Sequence, residues 1–317
     1  MKRKGIGHFL NNFDWLLFIA AMLATAMGMA LIYSASLSGG TSARDVLVQS
    51  VALIGGLIMM IVICLIDCDV LEALAGIIGG FGIGVLILVL LIGTGGEEVG
   101  TKGWIYLGPV SIQPSEFAKI AFIISLSAHI SRVHEKINEH KTLLFLVLHF
   151  LVYAGLVLLQ PDWGTAMVFA FIFVGMLFMA GVKIRYFLGA IGLLAVAAVP
   201  IWFFVLDNFQ KARITTFLNP ELSPLDDGYQ VLQSMLAIGS GRVMGNGYMA
   251  GNQTQMGYLP QARTDFIYAV AGEEFGFIGC VIVLLILSFI IIRCFYNSQK
   301  ARDVFGTMLC VGAGCLF

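Results

Sequence analysis

Thr264-Asp265-Phe266-Ile267 stands where a polar, glycine-rich stretch gives way to an apolar run. A carboxylate at such a margin can act as a general base, with its proton affinity raised by desolvation and lowered by neighbouring cations. The stretch before it, Gly239 to Gly257, contains six glycines, which let a backbone approach a ligand closely. Arg263 lies two residues ahead of the aspartate. Two further places pair charge with a helix start. Gln113-Pro114-Ser115-Glu116-Phe117-Ala118-Lys119 puts a carboxylate in a first turn and an ammonium three residues later on the same face. Gln160-Pro161-Asp162-Trp163-Gly164-Thr165 opens another apolar run on an aspartate. The plainer reading is that Glu116 and Asp162 are helix-start residues and that Lys119 pairs with a carboxylate across a bundle. A lysine inside a membrane span costs about 2.5–3.5 kcal/mol on insertion scales, so it needs a partner or a task.

The elements that must hold these groups are membrane helices. Of the residues, 59% are hydrophobic and 12% charged, and apolar runs near the roughly 20 residues of a span recur throughout. Candidates fall at 15–37, 46–66, 70–92, 112–130, 142–160, 163–182, 186–206 and 266–296, with a ninth beginning near Val304. The fold class is therefore all-α: a polytopic bundle, read as a single integral membrane domain over 1–317. The first run follows Met1-Lys2-Arg3-Lys4 and is too long for a signal peptide, so it reads as an uncleaved anchor. With the N-terminus inside, eleven of the 18 lysines and arginines fall in short inner segments, as cytoplasmic loops require. In that orientation the fourth, sixth and eighth spans start at the outer face, where each helix N-terminus carries partial positive charge and attracts anions. Thr264 is expected to cap the eighth span, with Asp265 in its first turn.

Two outer connections are long. Gly93 to Ile112 reads as an interfacial segment anchored by Trp104 and Tyr106. Asp207 to Thr264 reads as a large extracytoplasmic loop, too apolar to be disordered. Within it, Tyr229, Leu232, Met235 and Leu236 recur at helical spacing, as in an amphipathic helix on the bilayer surface or a packing helix. The net charge of −1 argues against a nucleic-acid partner. None of the six cysteines lies in an outer loop, so no disulfide framework follows, and neither the cysteines nor the five histidines form a metal-ligand pattern.

The stretch from Gly239-Ser240-Gly241 through Gln253-Thr254-Gln255, Tyr258-Leu259-Pro260, Thr264-Asp265-Phe266-Ile267 and Glu273-Glu274-Phe275-Gly276 closely resembles the RodA/FtsW/SpoVE family, the SEDS peptidoglycan polymerases. Gln113–Lys119, Gln160-Pro161-Asp162 with Gly164-Thr165, Asn219-Pro220 and Gly228-Tyr229-Gln230 agree in order and spacing, so the resemblance covers nearly the whole chain.

It implies a glycosyltransferase that polymerises lipid II, carried on undecaprenyl diphosphate, at the outer face of the bacterial cytoplasmic membrane. It implies Asp265 as the essential residue with Lys119 near it, a class B penicillin-binding protein as partner, and a divalent cation, Mg²⁺ or Mn²⁺, with no organic cofactor. Asp265 would take the proton of the acceptor hydroxyl. Lys119, Arg213 and Arg263 would hold the diphosphate, and Glu116, Asp162 and Gln233 complete the expected substrate-binding set. The alternatives are a lipid II flippase, with Lys119, Glu273 and Glu274 lining a polar path, and a membrane scaffold that recruits a penicillin-binding protein. The motifs are shared by the elongation, division and sporulation branches. The family has ten spans, and a chain ending in the ninth reads as a fragment or an incomplete gene model.

Overall fold

The computed structural model describes residues 13–38, 40, 42–93, 103–107, 110–205, 211–212, 215–216, 218–222 and 227–317. Its helices are α1 (Trp15–Leu37), α2 (Ser42–Leu65), α3 (Cys68–Ile92), α4 (Pro114–Val133), α5 (His140–Leu158), α6 (Trp163–Met179), α7 (Ile184–Pro200), α8 (Asp227–Gly241), α9 (Asn252–Gln255), α10 (Ile267–Ser298) and α11 (Val304–Leu316). Every apolar run in the sequence forms one of them. Six are long and apolar enough to cross a membrane, namely α1, α2, α3, α5, α7 with its extension to Phe204, and α10. Helices α6 and α11 are shorter and apolar, while α4 spans 20 residues but carries Glu116, Lys119 and Arg132.

Local chemistry sets several starts. Asp14, Asp162 and Asp303 each accept a hydrogen bond from a backbone N–H three residues on, at 3.1, 2.9 and 2.7 Å, so α1, α6 and α11 begin where a side chain satisfies an orphan donor. Pro114 occupies the first turn of α4, where its missing N–H costs nothing. Pro200 has the opposite effect at the end of α7, where the helix continues as a π-helical turn over Ile201–Val205. Leu47, Val51, Ile54, Ile58 and Ile61 of α2 all face outward. An apolar face of that extent is stable against lipid rather than water.

The chain divides into two compact units, Met1–Ile58 with Ala190–Phe289, and Met59–Gly189 with Ile290–Phe317. In the second unit, α4 is the central element, packed by α3 and α11, with α6 and α5 completing the layer. Phe122, Leu126, Phe169, Met176, Met308 and Val311 form its core. Glycines set the α3–α4 approach: a Cβ on Gly79 would lie 2.7 Å from Ser125 Cβ, and one on Gly82 would lie 2.6 Å from Ala121 Cβ. Small residues at such a seam let membrane helices gain van der Waals contact where no hydrophobic drive exists. The segment expected to be a simple interfacial loop contains a two-stranded antiparallel ribbon, β1 (Ile105–Leu107) and β2 (Val110–Ile112), with Ile105 opposite Ile112. The chain is otherwise almost entirely helical, as expected; β-branched and aromatic residues in a segment too short for a span pair with each other here.

The first unit is organised by α10. Leu31 and Ala35 of α1, Ala237 of α8, Leu259, Ala262 and Ala269–Ala271 form its core. The amphipathic helix expected around Tyr229 is present as α8, but Met235 and Leu236 of the expected apolar face are exposed, and the side chain it buries is that of Ala237, beside the buried glycines Gly228 and Gly241.

Candidate active site

Asp265 sits in a run of turns over Gln261–Phe266, two residues ahead of α10. The expectation that it falls in the helix's first turn with Thr264 as cap is corrected here. Gln261 adopts φ 51° and its carbonyl accepts the N–H groups of both Thr264 (3.1 Å) and Phe266 (3.2 Å), so the chain closes a turn before helical geometry begins. The Thr264 hydroxyl donates back to the Gln261 carbonyl and approaches its side-chain oxygen, both at 3.3 Å, and is thereby taken from capping. The Asp265 side chain is exposed and makes no hydrogen bond or ion pair among the described residues. Such a carboxylate is free to meet a substrate proton.

The turn itself is held. Arg263 Nη1 donates to Asp45 Oδ2 at 2.8 Å, joining it to the first turn of α2. Ala35, Ser38, Leu259, Gln261, Ala262 and Arg263 line a cavity of about 160 Å³ beside it.

Behind the turn, α10 is broken at Gly276 (φ 67°, ψ −161°). The break exposes four backbone groups that a helix would satisfy internally, and the glycine-rich segment supplies their partners. The carbonyls of Glu273 and Glu274 accept from Asn246 N (2.9 Å) and Gly247 N (3.0 Å), and Phe277 N and Ile278 N donate to the carbonyls of Arg242 (2.8 Å) and Val243 (3.3 Å). Glycine is required for this approach: a Cβ on Gly276 would lie 2.6 Å from the Val243 carbonyl, and Cβ atoms on Gly241 and Gly245 would overlap the backbone of Gly272 and Glu274. The close approach read from these glycines is thus made to the protein's own helix.

Two carboxyl groups fasten the rest of the segment. Glu273 is fully buried and accepts from Gln253 N (2.7 Å), Thr254 N (3.0 Å) and the Thr254 hydroxyl (2.7 Å). Glu274, also buried, accepts from the Ser34 hydroxyl of α1, and Gln255 Nε2 donates to Ser34 O at 3.2 Å. Glu273 and Glu274 therefore anchor a loop, which removes them from the polar path of the transporter alternative. Sequence reasoning missed this role. The available signal was a pair of glutamates deep in an apolar run, matched by amide and hydroxyl side chains at Gln253-Thr254-Gln255 and Ser34.

In the second unit Lys119 is nearly buried, 8% exposed, and its ammonium donates to Glu116 Oε1 at 2.7 Å. Its partner is thus on its own helix, not across the bundle. One carboxylate oxygen engages one of three donors, leaving the others without protein partners among the described residues. Asp162 is the helix-start residue of the plainer reading: Oδ1 caps α6, and Oδ2 accepts from Gln113 Nε2 at 3.1 Å. Gln233 is half-buried on α8 in the first unit, and Arg213 lies outside the described residues. The structure thus groups Asp265, Arg263 and Gln233 in one unit and Lys119, Glu116 and Asp162 in the other.

These features define a multi-pass membrane protein with an exposed carboxylate on a braced turn and, in the other unit, a nearly buried ammonium paired with an exposed carboxylate at a helix start. The chain belongs to the FtsW/RodA/SpoVE family, whose model, described as "Cell cycle protein", matches residues 14–317. It is 33% identical over 319 residues to "Probable peptidoglycan glycosyltransferase FtsW" of Trichlorobacter lovleyi, covering 97% of this chain and 82% of that one. It is 35% identical over 286 residues to "Peptidoglycan glycosyltransferase MrdB" of Escherichia coli, covering 89% and 76%. Among solved structures, a chain from a peptidoglycan synthase complex described as coordinating polymerization and crosslinking superposes with TM-score 0.75 at 28% identity, covering 96% of this chain and 84% of that one. The rod shape determining protein RodA of Thermus thermophilus superposes with TM-score 0.66 at 25% identity, covering 96% and 81%.

Proposed function

We propose that the chain is a peptidoglycan polymerase in which Asp265 is the general base of glycosyl transfer from an undecaprenyl diphosphate-linked glycan to lipid II. The relatives named peptidoglycan glycosyltransferase, matched over most of their length, support the activity. The observation that carries the assignment of the base is the exposed, unengaged Asp265 carboxylate on a turn closed by Gln261 and braced by Arg263 to Asp45. In the reaction the acceptor's 4-hydroxyl oxygen attacks the donor's anomeric carbon. Its proton passes to Asp265, the new glycosidic bond forms, and the bond to the diphosphate breaks with both electrons leaving on oxygen. Developing negative charge on that leaving group needs fixed cations, the role given to Lys119, Arg263 and Arg213. Assigning Lys119 and Asp265 to one substrate rests on the family's motifs. Gln233, Glu116 and Asp162 are placed in the same proposal as substrate contacts.

A divalent cation, Mg²⁺ or Mn²⁺, belongs to this reading only as a companion of the substrate. Among the described residues no three His, Cys, Asp or Glu side chains converge on one point, so such an ion would be held chiefly by diphosphate oxygens, and no step above uses it. The membrane topology we propose has an inner N-terminus, eight complete spans with α11 the start of a ninth, and 207–264 on the outer side, as the lysine and arginine distribution favours. A class B penicillin-binding protein is the proposed partner, supported by the similarity to the synthase-complex chain.

The test uses the purified chain with such a partner and labelled lipid II in detergent, where flipping yields no signal. Asp265→Asn preserves shape while removing the base, and glycan product is expected to fall at least ~100-fold at unchanged melting temperature. Undiminished product from a folded variant overturns the assignment.

A further inference from the structure

The second unit holds a cavity of about 370 Å³ between α3, α4 and α5, lined by Gly76, Gly80 and Ile83 on one side and by His129, Arg132 and His149 on the other. It lies toward the end of α4 opposite Lys119: thirteen residues separate 119 from 132, or about 20 Å at the α-helical rise. This is not the candidate active site. Its ionisable lining is basic or neutral throughout, with no carboxylate.

The hydrogen bonds inside the cavity show which groups are left for a ligand. Ser125 Oγ lies 3.1 Å from His149 Nε2, and His149 Nδ1 lies 3.2 Å from His129 Nδ1, so both ring nitrogens of His149 and one of His129 are engaged. The second ring nitrogen of His129 and the whole Arg132 guanidinium make no hydrogen bond or ion pair among the described residues. Residues 129 and 132 are three apart on one helix and share a face. A guanidinium and an imidazole set side by side on one helix face, in a lining that contains no acidic side chain, ask for an anion. The opposite wall of glycine and isoleucine accepts hydrocarbon, because two glycines remove the side chains that would fill it.

We infer that this cavity binds the phosphodiester headgroup of an anionic phospholipid, with Arg132 and His129 on the phosphate and the acyl chain along Gly76, Gly80 and Ile83. Basic pockets between transmembrane helices are the general form of such sites. The source is a lipid, because a free phosphate would use the cationic wall and leave the apolar wall wet.

Native mass spectrometry of the purified full chain, released from detergent after equilibration with phosphatidylglycerol, phosphatidylcholine or inorganic phosphate, tests this. The wild-type chain is expected to retain phosphatidylglycerol over phosphatidylcholine, and Arg132→Gln and His129→Gln each to lower that retention about fivefold. Arg132→Lys is expected to keep most of it, and matched melting temperatures establish that the variants are folded. Equal retention of the two lipids, or unchanged retention in both variants, overturns the inference. Displacement of the bound lipid by millimolar inorganic phosphate does the same, because it assigns the site to a soluble anion.

Discussion

Replacing Glu273 with alanine removes the acceptor of three hydrogen bonds in a fully buried position. Two backbone N–H groups and one hydroxyl lose their partner, and a buried polar group left unpaired costs about 1–3 kcal/mol. Water entering the space left by the side chain offsets part of this, so the net loss is set at about 3 kcal/mol. At about 2–4 °C per kcal/mol for a chain of this size class, the melting temperature should fall by roughly 6–12 °C. Glu273→Gln retains one acceptor oxygen, best used by Thr254, and presents an NH₂ to the Gln253 N–H. Its loss should be smaller, about 1–2 kcal/mol. Thermal unfolding in detergent, followed by intrinsic fluorescence, gives the order wild type, Gln, Ala. Limited proteolysis should cut between residues 242 and 257 in the alanine variant well below its melting temperature, because the segment is freed before the helices separate. An alanine variant with wild-type melting and an uncut loop would refute the anchoring role.

Gly276→Ala places a Cβ 2.6 Å from the Val243 carbonyl at a φ of 67° and ψ of −161°, a region open essentially only to glycine. It should destabilise the protein by about 1–3 kcal/mol, read as a lower denaturation midpoint, with polymerase activity falling alongside. Lys119→Met removes a nearly buried cation and returns Glu116, whose side chain is 55% exposed, to solvent. Its thermal stability should stay within about 1 kcal/mol of wild type while glycan product drops by more than ~10-fold; equal losses in both measurements would mark Lys119 as structural only.

The helices were legible because lipid imposes a simple rule: an apolar stretch of sufficient length has little choice but to be helical. α1–α7, α10 and α11 all fall on apolar runs of the sequence. The caps at Asp162 and the Pro114 start were readable for the same local reason. What could not be read depends on partners distant in the chain. The break at Gly276 lies inside an apolar run whose periodicity continues through it, and only the docking of Arg242–Gly247 makes it stable. Ser34 is 240 residues from Glu274, so its part in the loop anchor has no local mark. Asp265 stands out by its neighbours in sequence, but its turn depends on the left-handed Gln261, a conformation unusual for that residue type.

The docking of Arg242–Gly247 and of Gln253–Gln255 onto α10 around Glu273–Ile278 ties the preceding chain back to the helix at two points, and Asp265 lies in the stretch between the second of them and the start of α10. The arrangement is a short closed loop that carries Asp265, so the position of that side chain follows the position of α10. A small tilt of that end of α10 would therefore displace the Asp265 carboxylate, which under the proposed function adjusts polymerisation at a distance from the substrate contacts.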